Sequence, residues 1–199
     1  IHRSQGRYQE AEAALNIALT QYQELQNRQG EADTRLELVW AFRFQGNYQR
    51  SQAEARAALA LALTLDSQSR RGAAEARLAL GILDASEGLY DNAQSAYEAA
   101  AASFRLIGMR HREAHAARLL ARLHQLQGRY REAQAAFGEA LTLYLPLQDR
   151  SGEADIRWSL GVLHRYQGQY QEALKAFEEA LALYKTIEDL QGIADVYQD

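Results

Sequence analysis

His111 and His115 stand four residues apart, a spacing that puts two imidazoles on one face of a helix, as zinc ligands often are. Glu113 falls one place too late for the metalloprotease pattern, no third ligand follows, and His124 and His164 read as packing residues, so no metal is expected. With no Cys, the chain has neither a thiolate site nor a disulfide scaffold. Phosphate loop, nucleophile elbow and paired-carboxylate signature are all absent, so no catalysis and no cofactor is expected from this chain. What stands out is arginine. Lys175 and Lys185 are the only lysines among 22 basic residues, and the rest are Arg, the better side chain for forked and stacked contacts. From Arg105 to Arg131 there are seven Arg and one acid, Glu113; from Gln171 to Asp199 there are seven acids and two Lys. A net charge of −4 gives no pull toward nucleic acid, so the basic block suits a solvated face or an acidic partner.

Which elements carry these residues follows from an internal repeat. Gly-x-Tyr recurs at Gly6, Gly46, Gly88, Gly128 and Gly168, with spacings of 40, 42, 40 and 40. The two extra residues fall near the polar stretch Asp66-Ser67-Gln68-Ser69. Five residues after each glycine sits Ala11, Ser51, Ala93, Ala133 or Ala173; nine after, Leu15, Ala55, Tyr97, Phe137 or Phe177; twelve after, an Ala in every copy. Eight before sits Leu38, Leu80, Leu120 or Leu160, followed by Val39, Gly81, Ala121 or Gly161. Gly30, Gly72, Gly152 and Gly192 read as openings of the units. Tyr170, Ala173, Leu174, Phe177, Ala180, Leu181 and Tyr184 form one apolar helical stripe. The small residues allow close helix crossing, aromatics fill the space between, and each Gly before Tyr suits a left-handed turn.

The pattern predicts helices at 8–27, 31–45, 48–65, 72–87, 90–107, 110–127, 130–145, 152–167, 170–188 and 192–199, with Pro146 stopping the seventh and no strand. One domain is expected: a partial repeat at 1–29, full repeats at 30–71, 72–111, 112–151 and 152–191, and the start of another helix at 192–199. The chain starts at Ile1 and its one Met is Met109, so it reads as a piece of a longer protein. No apolar run is long enough to span a membrane.

Leu-Gly, Gly-x-Tyr and the Ala, Phe, Ala that follow resemble the tetratricopeptide repeat, over essentially the whole chain. The period is about 40 residues rather than 34 and the usual closing proline is mostly missing, as in the long repeats of kinesin light chains and of bacterial signalling ATPases and maltose-activator-type regulators. The resemblance implies an all-α, right-handed superhelical solenoid of antiparallel helix pairs. It also implies that the first helix of each pair lines a groove that binds partners. By register the groove positions are Asp33, Leu36, Trp40, Arg43 and Phe44; Glu75, Leu78, Ile82, Ala85 and Ser86; His115, Arg118, Arg122, Gln125 and Leu126; Asp155, Trp158, Val162, Arg165 and Tyr166; with Asp195 continuing the row. Both tryptophans and four arginines fall there, the residue types that dominate binding hot spots. The implied function is a protein-interaction scaffold or sensor module of a larger cytoplasmic signalling protein, taking a peptide or protein segment, an acidic one suiting the arginines. Contacts with other domains of the parent chain are also implied. The alternatives are an oligosaccharide sensor of a transcription activator, with the tryptophans stacking on sugar rings, and a plain spacer. The family's Lys and Asn carboxylate clamp for chaperone tails has no match at these positions.

Overall fold

The computed structural model describes residues 2–65 and 70–198, with side chains from Arg7 onward; the insertion near Asp66–Ser69 lies outside the described residues. The described chain is helical, in the order α1 (His2–Glu24), α2 (Arg28–Phe44), α3 (Tyr48–Thr64), α4 (Arg70–Ser86), α5 (Tyr90–Leu106), α6 (Arg110–Leu126), α7 (Tyr130–Tyr144), α8 (Arg150–Tyr166), α9 (Tyr170–Thr186) and α10 (Leu190–Gln198). A seventeen-residue helix and a three-residue turn, taken twice, make the forty-residue period seen from α8 to the start of α10. The chain forms two compact units, residues 1–107 and 108–199. In the first, α1 packs on α2, α2 on α3, α3 on α4 and α4 on α5; in the second, the same neighbour-on-neighbour packing runs from α6 to α10.

The turn inside each pair is built as the sequence suggests. At Gly168, φ is +74°, a left-handed value that L side chains avoid. There the Gln169 N–H closes on the His164 carbonyl at 2.9 Å and the Gly168 N–H on that of Arg165 at 3.0 Å, which caps the end of α8. Gly46, Gly88 and Gly128 repeat this turn. Gly6 does not: α1 runs through it, starting at His2 rather than at the expected residue 8. Among the described residues, the turns between pairs use the same left-handed corner with side chains present, at Gln26, Gln148 and Glu188, and with glycine at Gly108.

Gly30, Gly72, Gly152 and Gly192 do not open the helices. Each is the third residue of its helix, and three of them serve packing instead. A Cβ on Gly30 would lie 2.5 Å from the Tyr22 ring, one on Gly192 2.5 Å from the Tyr184 ring, and one on Gly152 would run into Tyr144. Gly72 faces only the Ala62 methyl, at 3.6 Å. Asn27, Asn47, Asp149 and Asp189 cap the starts of α2, α3, α8 and α10, each side chain accepting from a backbone N–H three residues on.

The crossing within a pair matches small to large. Gly81 lies under Tyr97 and Gly161 under Phe177, where a Cβ would stand 2.7 and 2.6 Å from the ring. In the first full repeat the sizes reverse, Val39 packing in one buried cluster with Ala55. Ser51 takes an alanine position there by donating its hydroxyl to the Val39 carbonyl at 2.8 Å. In the second unit, Ala121, Phe137, Ala140, Ile156 and Leu163 share a core. Pro146 ends α7 as foreseen, carrying the chain into a 3₁₀ turn over Leu145–Leu147. The stripe on α9 is only partly closed: Ala173, Ala180 and Tyr184 are buried, whereas Tyr170 and Leu174 are 70% and 55% exposed. Nothing in the structure explains Gly138.

Candidate functional site

Among the residues named from the sequence, those of α6 and α8 come together best. Arg122, Gln125 and Leu126 of α6 and Trp158, Val162 and Tyr166 of α8 line one hollow of about 390 Å³, joined by Tyr130 and Ser159. Helical spacing places them: residues three and four apart share a face, and α6 and α8 present the same register one repeat apart. Tyr130, at the start of α7, lies parallel to Tyr166, with ring centroids 6.4 Å apart and planes inclined by 5°. Trp158 is half-buried and rests on Ala154, Ala180, Tyr184 and Val196, so its ring both packs and lines the hollow. Arg122 and Tyr166 are exposed.

Behind the hollow lies a polar network. The Arg118 Nη1 contacts Asp155 Oδ2 at 3.0 Å, and Tyr184 donates its hydroxyl to Asp155 Oδ1 at 2.8 Å. Burial and this bond raise the Tyr184 phenol above its ordinary range. His115 sits beside Arg112, with 3.3 Å between Nδ1 and Nη1. Burial, together with the charges of Arg118 and Arg112, lowers its pKa to about 4, so it is neutral at pH 7. Arg118 and Asp155 thus serve one another; Arg118 is only 17% exposed. His111 turns to Asp149 instead, at 3.2 Å, so the two histidines hold different partners. Among the described residues no three His, Asp or Glu are grouped as metal ligands would be. Arg110 pairs at 3.0 Å with Glu113, an acid only 1% exposed whose burial the sequence did not signal.

In the first unit, Trp40, Arg43 and Phe44 cluster at the end of α2, with Arg43 Cζ 5.9 Å from both rings. Asp33 is exposed and holds Gln29; Leu36, Glu75, Ile82 and Ala85 are partly buried, and Ser86 is exposed. Leu78 is not available to a partner. It is 1% exposed, because α4 is enclosed by α2, α3 and α5. Sequence reasoning missed Tyr130 and Ser159. The recurrent Tyr two places after each turn glycine was the available signal for Tyr130, but it sits on a second helix, whereas the groove was sought on first helices.

Models of the tetratricopeptide repeat match residues 72–145 and 154–187, together more than half of the chain. The chain is a tetratricopeptide-repeat protein. Its all-α repeat fold is shared by solved structures of low identity. The apo form of RapI superposes with a TM-score of 0.81 at 14% identity, over 96% of this chain and 53% of that one. BtubC (BKLC) from P. vanneervenii gives 0.79 at 19% identity, over 96% and 83%. The Rap conjugation gene regulator of the plasmid pLS20, solved in complex with the Phr* peptide, gives 0.75 at 17%, over 94% and 52%. This repeat chain therefore spans about half of each Rap protein. No curated protein matches it by sequence. No described helix of this repeat protein is long and apolar enough to cross a membrane.

Proposed function

We propose that this tetratricopeptide-repeat chain is a recognition module, not a catalyst, and that the hollow between α6 and α8 takes a peptide or protein segment. The observation that carries this is the convergence of Trp158, Tyr166, Val162, Arg122 and Gln125 on one open hollow of about 390 Å³. A half-buried indole, a pair of parallel phenol rings and two flexible donors supply apolar contact area with directional polar contacts at its edge. A Rap regulator of the same fold was solved with a peptide, which supports a peptide over other ligands. The proposal extends to a place in a larger cytoplasmic signalling or regulatory protein.

The two tryptophans, one in each unit, give the test. In a Trp40→Phe variant, Trp158 is the only indole. Peptides selected from a random displayed library should shift its emission, and Arg122→Ala with Tyr166→Ala should abolish the shift while circular dichroism stays unchanged. Both side chains are exposed, so their loss should cost little stability. Selected peptides that bind the double variant equally well would refute the site. A shift with maltohexaose but with no peptide would favour an oligosaccharide sensor instead.

A further inference from the structure

An aromatic and arginine ladder occurs once in each unit. Tyr8 stacks on Phe44, with centroids 5.1 Å apart and planes inclined by 16°, and Arg43 lies over Phe44 and Trp40. In the same register Tyr130 stacks on Tyr166, and Arg165 Cζ lies 5.7 Å from the Tyr166 ring. The other copies place Ala85-Ser86 and Gln125-Leu126 at these positions, where no such ladder can form.

In the first unit's ladder no carboxylate of the described residues reaches the arginine. Three other half-buried arginines have carboxylates: Arg35 reaches Glu31 at 2.8 Å and Glu54 at 2.7 Å, Arg118 reaches Asp155, and Arg157 holds Glu153 and Glu179. Among the described residues Arg43 has only its two rings. Its Nε is buried and has no hydrogen-bond acceptor, which leaves the terminal Nη edge as the accessible part of the group. A guanidinium partly stripped of water by aromatic faces, with its charge unmet, favours an anion that can accept two parallel N–H bonds. The nearby acid, Glu12, is already engaged, by Gln45 at 2.9 Å and Arg50 at 3.5 Å. One cation is therefore open here, which matches a monoanion and not a run of phosphates.

We propose that Arg43, framed by Trp40 and Phe44 with Tyr8 stacked behind, anchors the carboxylate of an acidic side chain in a bound peptide. This rests on the reading of the chain as a peptide-binding module and names the chemistry of one contact. Trp40 packs against the Val39, Ala55, Ala79 and Leu83 core, so the frame is held rigid before any ligand arrives.

The full chain with Trp158→Phe leaves Trp40 as the sole indole. It is titrated with acetyl-Ala-Ala-Leu-Glu-Leu-Ala-amide and with a twin carrying Gln for Glu. The Trp40 emission and the ¹⁵N resonance of the Arg43 Nε are followed to roughly 50 mM, since one carboxylate on one guanidinium implies millimolar dissociation. The Glu peptide should move both signals, and the Gln twin should bind about tenfold more weakly or not at all. Arg43→Gln should abolish the difference between twins, and Arg43→Lys should not fully restore it, as lysine lacks the planar fork. Equal responses to the twins, no response to either, or a response to oligothymidylate in place of the Glu peptide would each overturn the proposal. Silence at Trp40 with a peptide response at Trp158 would remove this anchor and leave the hollow on α6 and α8 standing. The opposite pattern would remove the hollow and leave the anchor.

Discussion

Replacing Gly81 by alanine sets two effects of opposite sign against each other. Alanine is the better helix former, by about 0.5–1 kcal/mol in a helix interior. The new Cβ, however, would stand 2.7 Å from two ring carbons of Tyr97 and 3.2 Å from the Ala96 methyl. Tyr97 is 3% exposed, so its ring cannot swing into solvent, and the repeat must open or the ring must leave its rotamer. Overpacking of this kind costs about 1–3 kcal/mol, so the net change is a loss of roughly 1 kcal/mol. In urea, with a slope of about 2 kcal/mol/M, the midpoint should fall by about 0.5 M. Trp40 packs in the same unit and reports the transition in a Trp158→Phe background. The decisive arm is the cycle with Tyr97→Ala. That change alone should cost about 3–5 kcal/mol, by analogy with other buried aromatics. In its background the clash is gone, so Gly81→Ala should turn stabilising by about 0.5–1 kcal/mol. Gly81→Ala raising the midpoint in the parent chain, or equal effects in both backgrounds, would refute the account of glycine as a space-maker.

Two further outcomes follow from backbone and charge. Gly88→Ala should lose about 1–2 kcal/mol although nothing lies within 4 Å of the added methyl, because φ there is +79°; Glu188→Gly, at a φ of +55°, should gain up to about 1 kcal/mol, and chemical denaturation checks both signs. His115 has its folded pKa lowered from 6.5 to about 4, so between those values the unfolded chain binds the extra proton and stability must fall as pH is lowered through that window. The loss attributable to it approaches at most about 3 kcal/mol by pH 4, and His115→Asn should flatten the slope between pH 6.5 and 5, above the range where Glu31 and other carboxylates begin to protonate.

Much of the fold was legible in the chain itself. A forty-residue recurrence of glycine, alanine and aromatic positions sufficed to place the helices from α2 onward within three residues, because left-handed turns and close helix crossings each admit few residue types, whereas α1 starts six residues before the expected 8. The pairing of Gly81 with Tyr97 and Gly161 with Phe177 was implied by the same register, since a ring needs a gap of its own size. The roles of Gly30, Gly152 and Gly192 were not legible, because a helix-opening glycine and a glycine beneath a tyrosine ring look alike without the neighbouring helix. The left-handed Gln26, Gln148 and Glu188 were hidden for a related reason: tertiary packing of the pairs fixes those corners against the local preference of the residue. The candidate site divides the same way. Register alone put Trp158, Arg122 and Tyr166 on one row, a consequence of the 3.6-residue turn. Only the packed structure could close Leu78 into the core, pair Arg118 with Asp155 and leave Arg43 with rings but no carboxylate, because those outcomes depend on which side chains from other helices arrive within reach.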